Sequence, residues 1–345
     1  MKLAIASYHA PRAEGSAAGR QLWALGEALQ ELGHSVTALC WQPAEPADLP
    51  TWATWRPIPA GRALPVRARA LGRPRSDPRR LAWDPPSDAV LLCDEPFGFA
   101  AADGRPMATG VHYSVALDVQ AQGRWSPRAV QDLRAERFAV RRASHVITES
   151  ERVRDAVGRG VVVPATVPLP PRVVDPVESP VVGLLADWSW APNRAAAARL
   201  ISAWPLVRAQ VPTAQLLLGG RGACPVGTLD GVRWLGELPY AADLLSQAAV
   251  LAFPCPPTSG PKMKTLDALA HGVPVVTSAA GAEGVHPNDG LLVSDDLVQT
   301  LVQVLNDPAG RAERARAARS AMQDHHAPRQ AAQARVDALG GATTP

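Results

Sequence analysis

PATVPLPPRVVDPVESP, residues 164–180, decides how the chain is divided. Six of these positions are proline: Pro164, Pro168, Pro170, Pro171, Pro176 and Pro180. Proline has no backbone N–H and a fixed φ, so at this density neither a helix nor a central strand can form. The stretch reads as a linker. On its N-terminal side, residues 2–7 are a short apolar run, too short for the core of a secretory leader, and read as a first strand. A loop with Pro11, Gly15 and Gly19 follows, then Leu22, Leu25, Leu29 and Leu32 at helical spacing, stopped by Gly33. Residues 36–40 make the next strand, so the first forty residues predict a βαβ unit with parallel strands. Further strands are predicted at 89–93, 107–111, 146–148 and 161–163, with a helix over 127–142. Beyond the linker the pattern restarts: strand 181–186, helix 194–210, strands 214–218 and 232–234, a short helix at 241–247, strand 250–253, helix 262–271 and strand 273–278. An alanine-rich tail over 311–339 reads as helix, interrupted near Pro328. The alternation predicts an α/β chain of two Rossmann-like, doubly wound domains facing across a cleft: residues 1–170, residues 171–322, and a helical tail over 323–345.

Composition narrows the class. Of 345 residues, 47% are apolar and 19% charged, a balance that excludes wholesale disorder, and no apolar run approaches the roughly 20 residues needed to cross a bilayer. Up to residue 172 there are 22 basic against 17 acidic residues, and beyond it 13 against 15, so the halves differ in sign. Most of the excess lies in Arg56, Arg62, Arg67, Arg69, Arg73, Arg75, Arg79 and Arg80, opposed only by Asp77. This segment reads as a solvated surface loop, or else as a contact for an acidic acceptor or for anionic lipid heads at a membrane's inner face. Nucleic acid is not expected, because aromatic residues do not interleave with most of the run and no base-reading motif accompanies it. Cys40, Cys93, Cys224 and Cys255 are too scattered for a metal site, and a reducing cytoplasm suits them.

Open parallel sheets bind ligands at the carboxyl ends of their strands, so the loops after each strand carry the candidates. Gly15 and Ser16 precede a helix start, where glycine admits a close ligand and free amides favour phosphate; a tight turn is the competing reading. The spacing is not GxGxxG, which disfavours a nicotinamide dinucleotide. His112 ends a strand and reads either as a hydrogen-bonded structural residue or as a proton acceptor or carbonyl-positioning group. In DWSWAPN, residues 187–193, Asn193 suits an N-cap, and the two tryptophans suit either core or sugar stacking. The most informative loop is PPTSGPKMKTLDALAHGVPVV, residues 256–276. Pro261 sits near a helix start with Ser259 as a candidate cap. The chain has 32 arginines and 3 lysines, and two of those lysines, Lys262 and Lys264, fall in this first turn, where a cation opposes the helix dipole. An anion held jointly by ammonium groups and amides explains that placement. Asp267, about a turn further on, can accept bonds from a ribose diol.

At these residues the chain resembles the GT4-like retaining glycosyltransferases of the GT-B fold. Residues 15–36 are similar to the family's N-terminal glycine loop and "GHxV" strand entry. His112, Glu136 and residues 143–150 resemble its His loop and "AD-x-(V/I)-x-x-x-S" segment. Residues 187–193 resemble a "DWxPN" motif, residues 217–220 the strand ending in paired glycines, and residues 258–276 the subgroup form "SGxKxKxLEAxAxGxPVV". The resemblance implies that the last helix crosses back to the N-terminal domain. It implies a nucleotide-sugar donor, UDP-linked, in the C-terminal domain: Lys262 and Lys264 near the diphosphate, Asn193, Gly220, Ser259 and Gly260 beside them, Leu235 and Gly236 at the base, and Asp267 at the ribose. It implies a hydroxyl acceptor in the N-terminal domain, with Gly15 and Ser16 closing on the phosphates and His112 near the transferring sugar. No DxD stands in these loops, so neither a metal nor a cofactor is expected. One departure stands out: the family's first acidic residue falls on Ser259. That serine keeps two other readings open, a silent nucleotide-sugar-binding subunit and a nucleotide-sugar epimerase.

Overall fold

The computed structural model describes residues 1–40, 48–55, 85–96, 105–123, 125–170, 177–223, 227 and 229–340. The arginine-rich segment 56–80, with its expected membrane contact, lies outside the described residues, as do residues 171–176 of the linker and Cys224. Contacts divide the chain into two units. One is Met1–Thr166 together with the segment from Pro328, and the other is Val167–Ala327.

The first unit is built on seven parallel strands: β1 (Lys2–Ser7), β2 (Ser35–Cys40), β3 (Ala53–Trp55), β4 (Val90–Cys93), β5 (Met107–Val111), β6 (Val146–Thr148) and β7 (Val161–Val162). Their order is β3-β2-β1-β4-β5-β6-β7, so the chain reverses direction across the sheet between β1 and β4. Its helices are α1 (Ala17–Glu31), α2 (Val115–Gln122), α3 (Pro127–Arg142) and α4 (Glu151–Val157), joined by the last helix of the chain, α11 (Pro328–Gly340). Both faces of the sheet are covered. Leu3 and Ile5 face Leu22, Leu25 and Leu29 of α1 with Ala332 and Leu339 of α11, while Ala4, Ala6 and Leu91 face Ala139 and Val140 of α3. Burial on both sides is why β1 is a continuous apolar run rather than an alternating one.

The second unit repeats the plan with six strands: β8 (Val181–Leu185), β9 (Gln215–Gly219), β10 (Val232–Trp234), β11 (Val250–Phe253), β12 (Val275–Thr277) and β13 (Leu291–Val293). The order is β10-β9-β8-β11-β12-β13, and all pairs are parallel. Its helices are α5 (Ala191–Gln210), α6 (Ala242–Leu245), α7 (Met263–Ala270), α8 (Ala279–Ala282), α9 (Leu297–Leu305) and α10 (Pro308–Ala321), the last continued by a π-turn at Met322–His326. Trp204, Leu200, Leu216, Leu218 and Phe253 fill its core. Two doubly wound Rossmann-like units are thus present. Among the described residues no helix is long and apolar enough to cross a membrane.

The sequence reading missed several elements. Strands β3 and β13, three residues each, were not predicted, although β6 and β10, equally short, were. Helix α9, LVQTLVQVL, is apolar enough to read as a buried strand as readily as a helix.

Candidate functional site

In the second unit the expected donor residues gather at the carboxyl ends of β8, β9 and β11. Helix α7 begins at Met263, with Lys262 as its N-cap, whose side chain makes no capping bond. The expectation that Ser259 caps this helix is therefore corrected: Ser259 lies three residues ahead of the N-cap position. The N-terminus of a helix favours an anion. Lys264, in the first turn, donates from Nζ to Asn193 Oδ1 and lies 4.0 Å from the centroid of the Phe253 ring, the last residue of β11. Burial drives the Lys264 pKa down to about 7, and neighbouring Lys262 adds to the shift. Lys264 thus titrates near neutrality.

Lys262 behaves differently. Its ammonium turns back on its own loop, donating to the Ser259 carbonyl at 3.0 Å and to the Gly260 carbonyl, and the residue is buried. The Gly260 amide in turn donates to Glu283 Oε1 at 2.9 Å, and Gly260 holds φ +75°. Lys262 and Glu283 together fix the loop that carries Ser259. Asp267 shares the Lys264 side of α7 by its i, i+3 spacing and is buried.

Asn193 is not an N-cap. Helix α5 is capped at Trp190 without a side-chain bond, and Asn193 stands inside the first turn. Its Nδ2 donates to the Asp187 carbonyl at 2.7 Å while its Oδ1 accepts from Lys264, so it ties the end of β8 to α7. Asp187 is held by Arg221 and by the Ser189 amide and hydroxyl, at 2.9 and 2.6 Å; the Arg221 bond leads in lowering its pKa to about 2. Of the two tryptophans, Trp188 is core, edge-on to Trp234 at 6.0 Å, and Trp190 is exposed. Gly220 has φ +124°, and a Cβ there would stand 1.9 Å from the Ala186 carbonyl oxygen. Only glycine lets the end of β9 close on the end of β8. The Gly220 amide donates to the Gly236 carbonyl at 2.8 Å, and the Leu235 amide to Leu218 at 2.8 Å, bringing those residues to the same edge.

In the first unit, three successive parallel strands each deliver a titratable residue directly after their last position: Asp94 after β4, His112 after β5 and Glu149 after β6. His112 Nε2 lies 3.4 Å from Asp94 Oδ1, and its Nδ1 lies 3.1 Å from Glu149 Oε2. Burial alone would lower the His112 pKa, but Glu149 and Asp94 outweigh it and raise it well above 6.5. The charged form of His112 is thereby favoured. The two carboxylates favour a proton on the ring. About a quarter of its side chain is exposed, so a ligand can reach it. Ser16 caps α1, its Oγ accepting from the Gly19 amide at 3.2 Å, and Gly15 holds φ +101° with open space around it. Glu136 is buried, and its Oε2 accepts the Val115 amide at 2.9 Å at the start of α2.

Two family models match the chain: "Glycosyl transferase 4-like domain" over residues 16–172 and "Glycosyl transferases group 1" over residues 179–307. Together they account for both units. The chain belongs to the GT-B glycosyltransferases. Among curated proteins no sequence matches it. Its fold is similar to that of sucrose-phosphate synthase from Thermosynechococcus elongatus, at 19% identity and TM-score 0.75, covering 99% of this chain and 100% of that one. It is also similar to HepE from Anabaena, solved in complex with UDP and glucose, at 16% identity and TM-score 0.67 over 99% and 100%. Against TarM, at 14% identity and TM-score 0.59, 73% of this chain matches and it spans only 55% of TarM's length. In this glycosyltransferase, four residues of the polar clusters escaped the sequence reading: Asp94, Arg221, Glu283 and Arg335, the last paired with Glu149. Asp94 could have been found as the residue closing a predicted strand. Arg335 gave no signal, being one arginine among 32.

Proposed function

We propose that this glycosyltransferase moves a hexosyl group from a UDP-sugar to a hydroxyl acceptor, a saccharide, a lipid-linked sugar or a secondary metabolite, with retention at the anomeric carbon. The observation that carries the reading is Lys264, a partly buried lysine held by Asn193 in the first turn of α7. As the glycosidic bond breaks, negative charge grows on the departing diphosphate, and preorganised cations and amides stabilise that charge. Lys264 and the α7 amides supply this without a metal, Lys262 and Glu283 keep the Ser259–Gly260 loop in place, and Asp267 takes the ribose. Gly220 and Asn193 stand beside the diphosphate, and Leu235 and Gly236 form the edge that receives the base. The leaving phosphate itself accepts the proton of the attacking hydroxyl, which removes the need for a protein nucleophile or base. His112, whose two carboxylate neighbours favour its charged form, is assigned a place near the transferring sugar. HepE, with UDP and glucose bound, supports UDP as the nucleotide. A cytoplasmic site of action, where UDP-sugars are made, goes with this reading.

Incubation with a panel of UDP-sugars, followed by mass and NMR analysis, tests it. Transfer, or slow hydrolysis to UDP with the released sugar first appearing in the donor's anomeric configuration, is the expected result. Binding without turnover in the presence of acceptors would favour the silent subunit suggested by Ser259. An epimerised donor would favour the epimerase. Unchanged turnover and unchanged UDP affinity in both Lys264→Ala and His112→Ala would sink the assignment.

A further inference from the structure

Arg335 is the least expected charge in the first unit. It stands on α11, whose neighbours Ala331, Ala332 and Leu339 are fully packed, and only 7% of its side chain is exposed. Burying a guanidinium is unfavourable unless its partners compensate, and an apolar side chain would serve the packing at least as well. The partners are specific. Nη2 donates to Glu149 Oε1 at 3.0 Å, and Nη1 donates to Thr166 Oγ1 at 3.2 Å and to the Pro164 carbonyl at 3.5 Å. Glu149 is itself 4% exposed and uses its other oxygen against His112 Nδ1 at 3.1 Å. It therefore bridges two cations, one oxygen to each. On the far side of the ring stands Asp94, whose Oδ2 accepts from the Ser7 hydroxyl at 3.3 Å. Near Asp94 lie His9, paired with Glu95 at 3.1 Å, and the Cys40 thiol, which burial and Asp94 keep neutral by raising its pKa to about 12. Asp94 and Glu149 against His112 and Arg335 make a cluster with balanced charge. Without Arg335 the same pocket holds one net negative charge, and the cheapest way to remove it is a proton on Glu149.

We propose that Arg335 is a positioning residue for transfer: through Glu149 it fixes the orientation of the His112 ring and keeps its partner carboxylate ionised, making the first unit's chemistry depend on the final helix. The proposal rests on the reading of His112 as part of the transfer site, and two independent readouts separate the two. The first is the NMR titration of His112 in protein carrying 13Cε1-labelled histidine, with no donor present. In the parent protein the ring stays protonated well past pH 6.5. In Arg335→Met, Glu149 takes up a proton roughly one pH unit or more higher than in the parent, and the His112 signal shows that step as a new inflection on the acid side. In the isosteric Glu149→Gln, the His112 titration falls toward 6.5. The second readout is transfer itself: Arg335→Met lowers kcat by about tenfold or more while the donor KM moves little, with the acid limb of the pH profile shifted upward, and Arg335→Lys restores most of the loss. If Arg335→Met does not fold, Glu149→Gln carries the test. An unchanged His112 titration in a folded Arg335→Met or in Glu149→Gln overturns the proposal, as does an unshifted pH profile. Altered titration in a protein that transfers no sugar would instead sink the transferase reading and leave the coupling of Arg335 to His112 standing.

Discussion

Donor binding should be coupled to a proton on Lys264. Its pKa of about 7 reflects burial against Phe253 and the proximity of Lys262. A diphosphate beside the ammonium supplies the opposite charge that the free site lacks, which returns the pKa toward its usual range. At pH 6 roughly nine-tenths of free sites carry the charge and at pH 8 roughly one-tenth, so affinity should fall about tenfold between them, close to 1.4 kcal/mol. At pH 7 binding should take up about half a proton. UDP-glucose is the suitable probe, since its diphosphate does not titrate in this range. Calorimetry in two buffers of different ionisation enthalpy measures the uptake, and the dissociation constants at pH 6 and 8 measure the slope. Lys264→Met should bind about 10–100-fold more weakly at pH 6, the loss of a charge-assisted bond, and should show neither slope nor uptake. The same burial acts on stability with a definite sign. The folded-state pKa lies below the ordinary 10.5, so the unfolded chain holds more protons between about pH 7 and 10.5, and this group's contribution to stability rises with pH through that window. Equal affinities at pH 6 and 8 with no proton uptake would refute the argument.

Glu136 gives a second pH signature. Burial leads in pushing its pKa to about 7, so its charge costs stability above that value, and the cost is absent below about 4.5. Glu136→Gln should be more stable than the parent by about 1–3 kcal/mol at pH 8 and indistinguishable at pH 4, read by urea titration. His112 runs the other way, its stabilisation full below 6.5 and lost as pH rises through its elevated folded value, so His112→Ala should flatten the alkaline decline in melting temperature. Gly220→Ala, with a Cβ 1.9 Å from a carbonyl oxygen, should cost more than about 2 kcal/mol, whereas Gly236→Ala, at φ +79° in open space, should cost only about 1 kcal/mol. Comparable losses in the two, measured by thermal unfolding, would remove the close approach of β8 and β9 as the reason for Gly220. Lys262→Met should lower the melting temperature and free the Ser259–Gly260 loop, seen as faster amide exchange at Gly260.

Much of the architecture was legible because parallel strands buried on both faces are apolar throughout. Residues 107–111, 127–142, 146–148, 232–234 and 250–253 are found in the structure with the bounds their patterns predict. Leu291–Val293 was not predicted, although 146–148 and 232–234, equally short, were. The site was legible where composition made a residue rare. Two of three lysines in one helical turn singled out Lys262 and Lys264, but composition could not tell them apart. One ammonium folds onto its own loop and the other turns to Asn193, a difference set by which carbonyls the fold brings within reach.

By itself, then, the sequence determined the two doubly wound units, the proline-rich stretch between them and the loops that carry the chemistry, because those are local patterns of period, turn and breaker. Only the tertiary structure decided the charge states. Asp94, His112, Glu149 and Arg335 come from three strand ends and a helix that lies 186 residues beyond Glu149 in the chain. A proton's place on His112 is settled by distances of 3–4 Å and by exclusion of water, and no stretch of sequence contains either.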